Sequence, residues 1–354
     1  MVWRQLRRPA LLYGLLALLL LWFSLRQLSL REIGHVLGQL QLQQLLALAL
    51  LNLLVLATMV LRWQLLLDAE GYRLPFWSLF VYRLAAFGVT YFTPGPQFGG
   101  EPVQVYLVKE RHGVRLPSAI AAVTVDKVLE MLVNFTVLVG GALLLLQQGA
   151  LPSQVGYQSL SLAVLLLSIP LFLFLAFVQG KAPLSRIFAF LQIYVERHPL
   201  TGSWFRHSAE VVADSEQQVI HLCRHHPRAV LGALLITLIG WSVIICEFAY
   251  AAHILGAMLQ ATDVIMILMT MRVAILLPMP AGIGTLETSL VLAFRFLHLD
   301  PTVGLALSLV IRTRDILLGG LGLWLGGTTV WSRGPYTLIG VGKRQPTDSK
   351  ASIW

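Results

Sequence analysis

The chain has 354 residues, of which 57% are hydrophobic and only 12% charged, and its mean hydropathy is +0.75. This excludes an ordinary soluble domain and points to a polytopic membrane protein. A net charge of +9 would suit nucleic acid, but the basic residues lie between apolar runs instead of on a basic domain, so no nucleic-acid partner is expected.

In chain order, the first apolar run, 10–25, follows Arg4, Arg7 and Arg8 as in a signal peptide. LWFSLRQLSLREIG offers no small-x-small cleavage site, so a retained signal anchor is expected. A run of spanning length follows at 41–61. Next, LFVYRLAAFGVTYF runs into TPGPQFGGEP at 93–102, with three prolines, three glycines and one carboxylate. No continuous helix passes through such a stretch, and in hydrocarbon each freed backbone group must be satisfied by protein or by a water-filled cavity. The run 117–146 carries the charged sequence TVDKVLEM near its start, and 157–178 carries no charge. Between 184 and 223, SRIFAFLQIYVERH and WFRHSAEVVADSEQQVI place apolar residues at helical spacing. They fit helices lying on the inner leaflet or a helical lid on the bundle, and both readings stay open. Runs 229–252 and 302–330 close the apolar part, and the tail 331–354 is expected to be disordered.

Lys and Arg counts set the orientation. Segments 1–9, 62–75, 109–115, 179–228 and 331–354 hold 18 of the 26, while 147–156 and 253–261 hold none. Both termini are therefore expected in the cytoplasm, and an even number of spans results only if 76–108 and 262–298 each return to their own side as re-entrant hairpins. Their tips match: PGPQFGGE from Pro94 to Glu101 and PAGIGTLE from Pro280 to Glu287. Arg83 and Arg272 precede them, and Asp126 and Arg312 lie 25 residues after each glutamate. The order span, span, hairpin, span thus occurs twice with opposite orientation, the inverted-repeat logic of transporters. The expected fold is an all-α polytopic bundle, one domain over 1–330. Its repeats cover about 10–146 and 157–330, with a cytoplasmic amphipathic insert at 179–228.

A charge at mid-membrane costs about 2.5 to 3.5 kcal/mol even on lenient scales, so the buried set must pair or line water. For Lys127, Glu130, Arg314 and Asp315, mutual salt bridging is the preferred reading. The expected substrate-binding residues are Arg83, Pro94, Gly95, Gly99, Gly100, Glu101, Asp126, Glu247, Arg272, Pro280, Gly282, Gly284, Glu287 and Arg312. Arginine suits phosphate because its planar fork bonds two oxygens, and helix N-termini after Gly99 and Gly284 would add donors. Glu101 and Glu287 would neutralise Arg83 and Arg272 when no lipid is bound. No HExxH, GxSxG or Walker A signature occurs, so no catalytic residue is assigned and no cofactor expected. Cys223 and Cys246 lack CxxC or zinc-type neighbours, which argues against a disulfide framework or a metal site.

PG..GGEP after an arginine-bearing helix, TVDKVLEM on the next span and PAGIGTLE after Arg272 together resemble the flippase-like transmembrane region of lysylphosphatidylglycerol synthases, over about residues 10–330. In the bifunctional synthases this region moves aminoacylated phosphatidylglycerol between leaflets, and a separate soluble domain makes that lipid. The resemblance implies a lipid transporter or scramblase of the inner membrane without the aminoacyl transferase. Stand-alone relatives are associated with various lipids, so the cargo stays open. Asp126-Lys127 stands where the family resemblance would lead one to expect an Asp-Arg pair. The expected partner is a membrane phospholipid or other polar lipid, with self-association or an envelope-biosynthesis partner left open. The alternatives are an integral-membrane enzyme acting on a lipid-linked substrate, or an accessory lipid-binding subunit.

Overall fold

The computed structural model describes residues 38, 40–93, 99–147, 149, 153–195, 202–275 and 284–331. The expected signal anchor, the outer parts of both tips and the tail lie outside them. The described residues form eleven helices: α1 (Leu42–Ala69), α2 (Phe76–Phe92), α3 (Glu101–His112), α4 (Leu116–Gln147), α5 (Ser153–Val178), α6 (Pro183–Val195), α7 (Gly202–His225), α8 (Pro227–Ile254), α9 (Ala261–Ile275), α10 (Thr285–Phe296) and α11 (Pro301–Trp331). Four stretches are long and apolar enough to cross a membrane: Leu42–Ala69, Leu116–Gln147, Gly156–Val178 and Pro227–Ile254. The protein is a polytopic helical membrane protein. Helix α11 is 31 residues long, but Arg312, Arg314 and Asp315 interrupt its apolar surface.

The boundaries follow from local chemistry. Prolines open α8 and α11 and sit in the first turn of α3, where a missing N–H costs nothing. Gly113, in the left-handed region at φ 66°, ends α3 after three basic residues. At about 1.5 Å per residue, α2, α3 and α10, of 17, 12 and 12 residues, are too short to cross a hydrocarbon core of about 30 Å, and α9 is described over 15 residues. They pack as two pairs, α2 on α3 and α9 on α10. A long helix, a broken pair and a second long helix therefore follow one another twice, as α1 to α4 and as α8 to α11.

The largest core cluster joins α1 to α4 with α5, α7 and α8, through side chains such as Trp63, Leu79, Leu107, Leu129, Phe177 and Leu222. A second holds α8 to α11 together around Phe248, Ile267, Leu290, Phe294 and Leu307. The two halves meet where α1 packs on α8 and α2 on α11. The second contact is backbone on backbone, because a Cβ on Gly322 would lie 2.0 Å from the Leu84 carbonyl oxygen.

The insert resolves in favour of packing for its second helix. Val219, Leu222 and Cys223 of α7 are buried in the main core, and α7 lies on α4 and α5. Buried Glu216 of α7 accepts the Leu184 and Ser185 N–H groups and so caps α6. Ile187, Phe190 and Leu191, at i, i+3 and i+4 of α6, stay exposed.

Two measurements check this packing. Gly322→Ala is expected to lower thermal stability by about 1 to 3 kcal/mol by pushing α2 off α11. Gly320→Ala, whose Cβ meets nothing within 4 Å, is the neutral control. Burial pushes the Cys223 thiol up to about 11, so little thiolate exists at pH 8, and in a Cys246→Ser background, which removes the exposed cysteine, the folded protein should resist a polar maleimide there. Rapid labelling of Cys223 would mean that α7 is not docked.

Candidate functional site

Two carboxylates one helical turn apart on α4, Asp126 and Glu130, lie between two arginines from neighbouring helices. Arg62 of α1 bonds Asp126 through Nε and Glu130 through Nη2 at 3.2 Å. Arg83 of α2 bonds Asp126 at 2.8 Å and Glu130 at 3.4 Å. The four side chains form a closed network, and each guanidinium bridges both carboxylates. Thr237 of α8 and Gln104 of α3 take further guanidinium N–H bonds, from Arg62 and Arg83 respectively. Arg62 is 3% exposed and Asp126 1%, so the network sits inside the bundle.

Lys127 carries the network to the first tip: its Nζ lies 3.4 Å from both Glu130 and Glu101. Glu101 also accepts the Gly99 N–H at 2.8 Å. The second tip repeats the device, with Glu287 accepting the Gly284 N–H at 3.0 Å and pairing with Arg312 at 2.6 Å. Each tip glutamate thus caps its own helix and ties it to the following long helix. Gly100 has no room for a side chain, since a Cβ there would lie 2.1 Å from the Ala86 carbonyl oxygen.

A second cluster lies in the other half. Arg314 bonds Glu247 and the adjacent Asp315, and Asn52 of α1 donates to Glu247 at 3.3 Å. Arg272 of α9 stands between the clusters, acted on electrostatically by Glu130, Arg314 and Asp315. Its guanidinium lies 4.8 Å from the centre of the Trp241 ring, a cation–π contact. Its Nε finds no hydrogen-bond partner among the described residues. Arg272, Arg62, Lys127, Glu130, Asn134 and Trp241 line a cavity of about 70 Å³, closed otherwise mainly by apolar side chains.

Residues 10–322 match the family described as the lysylphosphatidylglycerol synthase TM region. The chain belongs to that family. No curated protein and no solved structure matches it.

Within this family member the structure rearranges the expected pairing. Arg83 pairs with Asp126 and Glu130, not with Glu101, and Arg272 does not pair with Glu287. The position 25 residues after the tip glutamate meets it in the second half, at Arg312, but in the first half the next residue, Lys127, does so. The glutamates take the N–H groups of Gly99 and Gly284 themselves, and Thr90 Oγ1 takes that of Gly100. Glu247 is held by Arg314, and Pro94, Gly95, Pro280 and Gly282 lie outside the described residues.

Sequence reasoning missed Arg62, assigned to a cytoplasmic loop because the apolar run was cut at its first charge; α1 continues to Ala69. Asp126 and Glu130 share only Lys127 nearby in sequence, so a second cation from elsewhere was the available signal. Glu130 and Lys127, read as salt-bridged, are so paired and also line the cavity. Trp241 and Asn134 carried no signal beyond their spans.

Removing one member of a buried ion network strands its partners at about 3 to 5 kcal/mol. Asp126→Leu should lose that much stability in detergent, read as a fall in melting temperature. Arg62→Met should lose a comparable amount. A melting point unchanged in both would mean that the network does not hold α1, α2 and α4 together.

Proposed function

We propose that the protein moves an amphiphilic lipid with a phosphate-bearing head group between the leaflets of the cell's inner membrane. The observation that carries this is the cavity at Arg272. Arg62, Arg83 and Lys127 balance Glu101, Asp126 and Glu130, so Arg272 adds one positive charge to that wall, with no carboxylate at bonding distance among the described residues. An anionic group entering there would neutralise the excess. Family membership supports a lipid-related role, the twofold succession of long helix, broken pair and long helix supports an inverted repeat, and the Lys and Arg distribution supports both termini being cytoplasmic.

On this reading the phosphate first takes Arg272, then competes with Glu130 for Arg62 and Lys127. Each cation has a partner before and after, so no bare charge is left in low dielectric and release stays easy. The tip glutamates hold the half-helices while the cavity is empty. Residues 1–330 act as one transporting unit, with α6 and α7 as its cytoplasmic insert.

The test uses purified full-length protein in liposomes containing fluorescent lipids. Lipid sidedness should change while the amount and identity of lipid do not; a changed product would establish an enzyme instead. Arg272→Lys keeps the charge but loses the fork and the wide stacking plane, so transport should drop about tenfold with little change in melting temperature. Equal loss of both would assign Arg272 to structure.

A further inference from the structure

Asn134 lies one turn beyond Glu130 on α4, on the cavity wall. Its Oδ1 is buried and has no hydrogen-bond partner among the described residues, as is true of Arg272 Nε on α9. An unmet acceptor and an unmet donor on two helices lining one cavity are costly, and such pairs are ordinarily explained by a ligand or water that satisfies both. A phosphodiester group alone satisfies only Arg272, because it brings acceptors and no donor. A head group that carries a donor beyond its phosphate satisfies both.

We infer that Asn134 is a specificity-determining residue that reads an N–H or O–H donor on the head group while Arg272 holds the phosphate, so that the cavity selects phospholipids with a protic head group over those without one. The inference rests on the transport reading above and adds a direction of selectivity to it. The cavity of about 70 Å³ has room for several waters or for the polar core of a head group, and the acyl chains must stay outside. The Trp241 face is already covered by Arg272, so it is not offered to a cationic head group that lacks a donor. Glu130 is likewise engaged, by Arg62, Arg83 and Lys127. The Thr58 hydroxyl on the same wall is held by its own bond to the Val55 carbonyl, so Asn134 Oδ1 is the carbonyl acceptor on this wall that is without any bond among the described residues.

The experiment compares acyl-labelled phosphatidylethanolamine, its N,N-dimethyl form and phosphatidylcholine in liposomes containing the full-length protein. All three have the same net charge. The dimethyl form keeps one N–H at nearly the bulk of phosphatidylcholine, which separates donor from size. Wild type should move the first two about tenfold faster than phosphatidylcholine, the worth of one hydrogen bond. Asn134→Leu, close in shape and without an acceptor, should bring all three to the phosphatidylcholine rate, and Asn134→Ala should do the same if the leucine variant does not insert. Asn134→Gln, which keeps the carbonyl, should restore part of the preference. Equal rates for the three lipids in wild type, or equal slowing of all three by Asn134→Leu at unchanged melting temperature, would overturn the inference and leave transport standing. No movement of any lipid above protein-free liposomes would overturn transport and the inference with it.

Discussion

The closed network of Arg62, Asp126, Arg83 and Glu130 is the constraint on which the rest of the first half depends. Charges placed in a bundle surrounded by hydrocarbon must either find a partner at close range or line a cavity. With both carboxylates on α4 and the cations on α1 and α2, that requirement fixes the axial register of three helices at once. Apolar packing alone would not do so, because lipid tails are as apolar as the leucines of these helices and leave little reason for one register over another. The network is a positional device more than a source of stability, since the attraction between its members largely repays their desolvation.

From that anchor the polar interior spreads outward by single links. Lys127 connects the network to Glu101 and so to the N-terminus of α3, and Arg312 performs the same task for Glu287 and α10. The two halves carry opposite imbalances. The second cluster sets Arg312 and Arg314 against Glu247, Glu287 and Asp315, leaving one negative charge in excess, while Arg272 leaves one positive charge beside the first. Arg272 therefore stands where the two fields meet, held by the face of Trp241 instead of by a carboxylate within bonding distance. A cation held by a ring is more readily shared with an incoming anion than one locked into a bidentate pair. The backbone contact of α2 with α11 brings the helix bearing Arg83 against the helix bearing Arg312 and Arg314, so the halves are joined close to their charges.

Much of this was legible before any coordinates. The spans at 41–61, 117–146, 157–178 and 229–252 correspond to α1, α4, α5 and α8, because continuous apolar sequence has one stable form in a bilayer. The breaks after Phe92 and before Glu101 and Thr285 follow from proline and glycine, which act locally. Where inference failed, the cause was nonlocal. Arg62 was cut from its helix because a charge at the end of an apolar run is ordinarily interfacial. Only the presence of Asp126, 64 positions away and across a helix contact, makes that position an interior one. That Asp126 faces Arg62 and Arg83 while the next residue, Lys127, faces Glu101 reflects about 100° of helix rotation between them, and spacing along the chain does not define which side meets which helix.

Sequence by itself determined that this protein lives in a membrane, that two helical elements are broken at proline- and glycine-rich tips, that arginines and carboxylates are buried among the spans, and which family the motifs resemble. These are properties of composition and of a few adjacent residues, where propensity and desolvation cost act without reference to the rest of the chain. Only the tertiary structure decided which cation meets which carboxylate, that each tip glutamate accepts the N–H of a glycine just before its own helix, that α7 docks on the bundle, and that Arg272 and Asn134 line one cavity with unmet hydrogen-bonding capacity. Pairing in low dielectric is settled by distances of 3 to 4 Å between side chains on different helices. Those distances are set by helix rotation and register, which only the packed bundle fixes.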